Sequence, residues 1–248
     1  VRRGSFHDRA VVVRTHDFGE ADRVVVLLTR HHGVVRSVAK GVRKAKSRFG
    51  SRLQPFVHLD VQLYPGRKLA TITQADTVAY YGSGIIEDWD RYTAASVVVE
   101  AAERLAMHGE EDPALFDAVI NALSAMQTTR HPTATLDAFL LRALELAGLA
   151  PRLFECASCQ AAGPHRAFHP EAGGAVCVRC RPSQSASVPA ETLHLMWLLA
   201  GEHWAAAEQI LDGPDGPHLM DTAHRLTVRH LQWHLDAKVG SLRVLEQR

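Results

Sequence analysis

Few features in this sequence announce a chemistry. Cysteine occurs four times in 248 residues, which excludes a disulfide-scaffolded mini-domain. No apolar run approaches the ~18 residues of a membrane span. The opening stretch Arg2-Arg3-Gly4-Ser5-Phe6-His7-Asp8 has no apolar segment behind its charges, so no secretory signal is expected and the expected location is the cytoplasm. There is no P-loop, no Gly-x-Ser-x-Gly and no Gly-x-Gly-x-x-Gly; Gly82-x-Gly84 stands without the rest. Charge of one sign is also missing, for the formal net charge is +1. What remains is 46% apolar and 22% charged residues, the composition of a soluble globular chain of one large domain or two or three small ones.

The near-zero net charge conceals a division. Residues 1–80 hold 15 Lys/Arg and 6 Asp/Glu, a balance of +9, and residues 81–248 carry −8. From Arg23 to Leu59 stand nine basic residues and no acidic one: Arg23, Arg30, Arg36, Lys40, Arg43, Lys44, Lys46, Arg48 and Arg52. Such a surface attracts a polyanion and loosens with salt, so nucleic acid is the expected ligand.

The basic portion reads as five short β-branched strands: around Phe6–Thr15, Arg23–Thr29, Gly33–Ala39, Phe56–Leu63 and Leu69–Ala75. Five strands in about 80 residues suit a Greek-key barrel of the OB type; an SH3-like barrel or a three-plus-two sandwich has nearly the same count. The longest gap, about 41–52, carries the basic cluster as a loop or short helix at the barrel's mouth. OB barrels hold single strands with such loops and the adjacent sheet face. Candidate DNA contacts are therefore Arg36, Lys40, Arg43, Lys44, Lys46, Arg48 and Arg52. Phe49, the one aromatic in the loop, is either a base-stacking platform or an apolar anchor.

Beyond residue 81 the pattern turns helical. Asp88 or Asp90 caps a first helix to about Met107. Asp112-Pro113 opens a second. Leu136, Phe139, Leu140, Ala143, Leu144 and Ala147 form the stripe of a third, stopped by Gly148. Helices over Pro189–Ala200, His203–Leu211 and from the Gly213–Pro217 turn to about Lys238 complete the body, with Ser183–Ser187 a polar linker. The expected class is α+β and multidomain: a DNA-binding barrel at 1–80 and a helical domain at 81–248, interrupted at 152–184 by a metal module.

That module is the strongest single signal. Cys156-x2-Cys159 and Cys177-x2-Cys180 stand 17 residues apart, the spacing of a four-sulfur zinc site. Two knuckles complete a tetrahedral shell with no position for water, so one zinc ion is expected as a structural element. Two disulfides or an iron–sulfur cluster are the rival readings. His165 and His169 lie between the pairs, but the cysteines fill the shell. Catalytic signals are sparse. Asp8, Asp17, Glu20 and Asp22 could be imagined holding Mg2+ as in a nuclease, but with Arg14 and Arg23 interleaved they read as turn and ion-pair residues. His31-His32 read as surface or DNA-facing, and His230 as a core histidine.

The order of parts resembles the bacterial recombination mediator RecO family across essentially the whole chain. The wording is most specific from Glu20-Ala21-Asp22-Arg23 through Leu27-Leu28-Thr29, Gly33, Val38-Ala39-Lys40-Gly41-Val42-Arg43 and Ser47-Arg48-Phe49 to Leu53-Gln54-Pro55-Phe56. A second stretch is Phe139–Pro151, running into Cys156. The resemblance implies a non-enzymatic DNA-repair protein that binds single- and double-stranded DNA and anneals complementary strands. It further implies that, with RecR, the protein helps load RecA onto DNA coated by the single-stranded-DNA-binding protein (SSB), at the nucleoid. A site for SSB's acidic, apolar C-terminal tail is implied on the helical body. Arg142 is the candidate there and Arg130 a weaker one; for Arg142 the competing reading is an ion pair with Glu145 or Glu103. A zinc-ribbon regulator reading duplex sequence and a metal-dependent nuclease are the alternative functions.

Overall fold

A computed structural model describes residues 4–47, 49–106, 111–235 and 239–242. The chain divides into two compact units, 1–128 and 129–248.

The first unit begins with five strands: β1 (Phe6–Phe18), β2 (Asp22–Thr29), β3 (Val34–Ala39), β4 (Val57–Tyr64) and β5 (Ala70–Tyr80). They close a barrel in the order β1-β2-β3-β5-β4. Every pairing is antiparallel except β3 with β5, where Ser37 and Val38 lie beside Ala70 and Thr71. That circular order with one parallel contact is the OB topology, and it excludes the SH3-like and sandwich alternatives. The period-2 pattern fixes the interior: Ala10, Val12, Val25, Leu27, Leu59, Val61, Leu63 and Ile72 point into one shared core.

Two helices complete this unit. In α1 (Trp89–Leu105) the Asp88 carboxylate accepts the N–H groups of Asp90 and Arg91. In α2 (Pro113–Met126) Asp112 accepts from Leu115 N–H and Pro113 takes the first turn, satisfying donors that a helix start leaves open. Both helices reach the barrel. Glu103 of α1 binds Arg14 of β1, Asp117 of α2 binds Arg30 just beyond β2 at 2.8 Å, and Phe116 meets His58 of β4 edge-on. This explains why β2 is buried on both faces. Val25 and Leu27 face inward, while Val24, Val26 and Leu28 on the other face are also at most 3% exposed.

The second unit holds α3 (Pro132–Leu146), α4 (Ala190–Ala200), α5 (Trp204–Leu211) and α6 (Gly216–His234). Gly148, at φ +72°, ends α3 in the left-handed region that glycine tolerates. Leu141, Leu195, Met196, Leu199, Ala223 and Leu226 make the core. Inside it Asp137 is fully buried and accepts from His224 Nδ1 at 2.7 Å; burial pushes its carboxyl above the usual range, against the pull of His224.

Between α3 and α4 lies a small sheet of β6 (Ala167–His169), β7 (Gly174–Ala175) and β8 (Ala186–Ser187), in the order β7-β6-β8. The sheet thus has three members, with β6 at its centre. Ala186 and Ser187, read as linker, pair with Phe168 and Ala167. Phe168 belongs to the helical core, so the ribbon is pinned to the body by its own aromatic. Gly174 lies against Arg152: at φ +131° a Cβ there would come 2.3 Å from the Arg152 carbonyl, so only glycine fits. Among the described residues no helix is long and apolar enough to cross a membrane.

Candidate nucleic-acid interface and metal centre

The basic segment between β3 and β4 is a run of turns, not a helix. Its conformation follows from residues at both ends. Gly41 takes φ +69° and donates its N–H to Asp22 at 2.7 Å. Arg43 N–H reaches the Ala21 carbonyl at 3.0 Å, Lys44 bonds back to Gly41, and Ser47 to Lys44. The loop therefore rests on the β1–β2 hairpin tip. Three side chains then fasten it to the barrel: Val42, Phe49 and Leu53 are buried in the barrel core. Between them Arg43, Lys44, Lys46 and Arg52 are exposed.

The predicted contacts separate accordingly. Arg36, Lys40, Lys44 and Lys46 are exposed and have no carboxylate in ion-pair range among the described residues. Arg43 is engaged, with Nη1 donating to the Gly19 carbonyl at 3.3 Å and Nε 3.4 Å from Asp17. Arg52 donates to the Ala75 carbonyl at 3.5 Å. Arg48 lies outside the described residues. Phe49 requires a correction: at 2% exposure it is the anchor and no stacking platform, because its ring plugs the barrel where a base cannot reach. On the adjacent sheet face β2's outer residues are buried, Arg23 is paired with Asp17, and Arg36 of β3 is exposed.

Two further cations belong to the same unit and were not among the contacts expected from sequence. Arg67 and Lys68 sit exposed in the connection between β4 and β5, with no carboxylate partner among the described residues. The parallel β3–β5 contact sets this hairpin beside the strand that carries Arg36. The Pro65-Gly66-Arg67-Lys68 string held the signal; the missing knowledge was which strand β5 would join.

Three of the four N-terminal carboxylates hold structure. Asp17 pairs with Arg23 and Arg43, and Asp22 holds Gly41. Asp8, its side chain fully buried, is gripped by His31 Nδ1 at 3.0 Å and His32 Nδ1 at 2.6 Å. Burial opposes its charge, but these bonds and the His31 and Arg9 N–H groups outweigh it and hold its carboxyl below the usual range.

The cysteines do converge. The sulfurs of Cys156, Cys159, Cys177 and Cys180 all lie within 4.8 Å of one another, and among the described residues this is the one such group of potential metal ligands. All four are free thiols. Cys159 Sγ and Cys177 Sγ are 3.8 Å apart, about the edge of a tetrahedron with ~2.3 Å metal–sulfur bonds. The first knuckle closes with Gln160 N–H on the Cys156 carbonyl at 2.8 Å, Gln160 taking φ +61°. Cys177 N–H donates to Cys156 Sγ at 3.3 Å. Burial works against ionising Cys156, yet the N–H groups of Cys177, Cys159 and Ser158 bring it down to about 6. Cys180 is pushed up to about 12, first by its hydrogen bond to Cys159 and then by Cys177. Four thiols so close cannot all ionise unaided; a dication removes the conflict, so the donor set fits a metal. The histidines are elsewhere: His165 Nε2 is 2.9 Å from the Ala161 carbonyl, and His169 Nδ1 accepts from Ala172.

On the helical unit, Arg142 binds Glu145 and Arg130 binds Asp212 at 3.2 Å. His230 is buried, 2.8 Å from the Leu149 carbonyl, as a core histidine should be. Near Arg142 a groove of about 430 Å³ is lined by Leu141, Glu145, Arg152, Phe154, Trp197 and His203, among others.

Comparison with protein families gives two matches. A model described as "Recombination protein O N terminal" matches residues 4–81, and one described as "Recombination protein O C terminal" matches residues 86–243.

Proposed function

The chain belongs to the recombination protein O family, whose role is mediation in DNA repair and recombination, and from that footing we propose how this member does its work. The barrel at 1–80 binds single- and double-stranded DNA, and the protein anneals complementary strands. The observation that carries this reading is the row of Arg36 on β3 and Lys40, Lys44 and Lys46 on the loop, exposed and without acidic partners among the described residues, beside apolar loop residues locked into the barrel. Arg67 and Lys68 extend the row from the neighbouring hairpin. Annealing makes and breaks no covalent bond. It needs two mutually repelling strands screened by one positive surface while their bases stay free to pair. A site led by phosphate contacts, with its one aromatic buried, suits that need. No residue is assigned bond chemistry.

One zinc ion, held by Cys156, Cys159, Cys177 and Cys180, serves the 152–184 module as a structural element. The small apolar cluster of Cys156, Ala167 and Val176 supports this: a module with so little core takes its stability from metal. In the wider reaction the protein acts with RecR to load RecA onto SSB-coated DNA. For the acidic, apolar SSB tail, the groove at Phe154 and Trp197 is the better candidate than Arg142, whose guanidinium is already met by Glu145. Arg152 lies 3.8 Å from Glu155 with its side chain 67% exposed, and is the cation offered to the tail's carboxylates.

The test is strand annealing of labelled complementary oligonucleotides by wild type and by Lys40/Lys44/Lys46→Glu, with Mg2+ present. The wild type should anneal and leave the strands intact; the reversed variant should lose the activity. Normal annealing by the variant would sink the site, and cleavage of the strands would favour the nuclease alternative.

A further inference from the structure

Eleven large apolar side chains are strongly exposed among the described residues, and five of them fall in the short stretch from residue 78 to 92: Val78, Tyr80, Ile86, Trp89 and Tyr92. The structure connects four of these into one surface. Trp89 and Tyr92, a helical turn apart on α1, stack with ring centroids 6.4 Å apart. Tyr92 meets Phe56 edge-on at 5.9 Å. The Phe56 carbonyl takes the N–H of Tyr81, next to Tyr80. The Tyr80 ring covers Gly82, where a Cβ would strike its hydroxyl at 2.3 Å, and Ile86 N–H binds the Gly82 carbonyl. Tyr92 is accounted for by its packing on Phe56. Trp89, although it stacks with Tyr92, and Ile86 still leave 57% and 55% of their surface exposed. Contiguous exposed aromatics of this kind mark contact sites, and Trp and Tyr dominate the energetics of protein interfaces.

The surrounding charge decides between classes of occupant. Bases could stack on these rings, but the stretch from Leu69 to Asp90 has four carboxylates (Asp76, Glu87, Asp88 and Asp90) and no Lys or Arg. Arg91, the next cation, turns inward and donates to the carbonyls of Gly84 and Gln127. A nucleic-acid platform surrounds its aromatics with cations; this one is bordered by the acids of a unit whose basic residues lie on other segments. The fitting occupant is a protein surface of apolar and cationic side chains, its charge complementary to this rim.

We propose that Tyr80, Ile86, Trp89 and Tyr92, with Glu87 and Asp90 at the margin, form the docking surface for a protein partner that presents apolar and cationic side chains. This rests on the reading that the chain works with a second protein, and RecR is the probe. Full-length Ile86→Ala/Trp89→Ala should bind RecR at least tenfold more weakly than wild type, with single-strand affinity within twofold. Glu87→Lys should weaken RecR binding further and reduce its sensitivity to salt. A photo-crosslinker at position 86 should capture RecR, and one at exposed Tyr64 should not; this keeps the assignment testable if the double variant folds poorly. Wild-type RecR affinity in the variants, or crosslinking at 64 but not 86, overturns the surface. Loss of DNA affinity in Ile86→Ala/Trp89→Ala with RecR binding unchanged makes it a base platform instead, and self-crosslinking in place of RecR makes it a homotypic contact. If wild type itself fails to bind RecR, the pairing read under the proposed function falls, and this surface with it.

Discussion

Arg14 and Glu103, 89 residues apart, meet through two hydrogen bonds: Nε to Oε2 at 3.0 Å and Nη2 to Oε1 at 2.7 Å. The Glu103 side chain is 9% exposed and that of Arg14 57%, so the pair is an open cation clamped over a nearly covered carboxylate. The first strand of the barrel and the first helix are thereby fixed to each other, through a fork-to-fork geometry that lysine cannot reproduce.

Removing Arg14 leaves the Glu103 carboxylate covered and unpaired. Arg14→Ala is expected to lower stability by about 1–3 kcal/mol, and Arg14→Lys to recover only part of it. Denaturant unfolding of the two variants checks this; equal stability of Arg14→Ala and wild type would contradict it.

Phe49 offers a test that separates anchor from platform. Phe49→Leu keeps most of the buried volume, so stability should fall by less than about 1.5 kcal/mol and single-strand affinity should hold. A stacked ring would behave differently: its loss would cost ~1–3 kcal/mol of binding with little effect on the melting temperature.

Arg67 and Lys68 are expected to share the phosphate load with the loop. Arg67→Ala/Lys68→Ala should lower the log–log salt slope on single strands by about 1.4, at ~0.7 for each contact. Lys44→Ala/Lys46→Ala should lower it similarly. A slope unchanged in the first variant removes the β4–β5 hairpin from the interface.

Metal removal should act on one unit only. Chelation, or Cys159→Ser, is expected to release one zinc per chain and lower the melting temperature of the 129–248 unit. DNA affinity, which we propose belongs to the 1–128 unit, should change less than twofold. Metal analysis, calorimetry and a binding titration on the same sample decide it; collapse of DNA affinity on chelation would place the ion in the binding surface.

Stability should fall on mild acidification. Burial first, and then the charge of Arg9, hold His58 below the ordinary imidazole value of 6.5. Burial, and secondarily His234, does the same for His230 against the pull of the Leu149 carbonyl. Both take up protons less readily in the folded protein than in the unfolded chain, so stability present above 6.5 is lost as pH drops below that value. His58→Gln/His230→Gln should flatten melting temperature against pH between about 7 and 5. A profile as steep as wild type would assign the loss to other groups.

Much of this was legible in the residues. The β-branched strands were visible because a half-buried strand needs alternation, and the caps Asp88 and Asp112 because a helix start needs acceptors. The cysteine spacing was legible because a knuckle has one workable geometry. Three things were not. The strand partner of β5 depends on closing a barrel, which no local pattern encodes; this hid Arg67 and Lys68. The fate of Phe49 depends on whether the loop turns inward at that residue, and Val42 and Leu53, at the flanks, showed the inward rhythm only once seen with the core. The exposed rings of Tyr80 and Trp89 are ordinary strand and helix residues in sequence, and only burial distinguishes them.

The ring of five strands bears on how a protein proposed to bind long polyanions behaves when crowded. Every margin of its sheet is already taken, β3 by β5 and β1 by β4, so the barrel offers no open backbone ladder to another molecule. Barrels brought close together therefore have no open sheet margin through which to zip into fibrils.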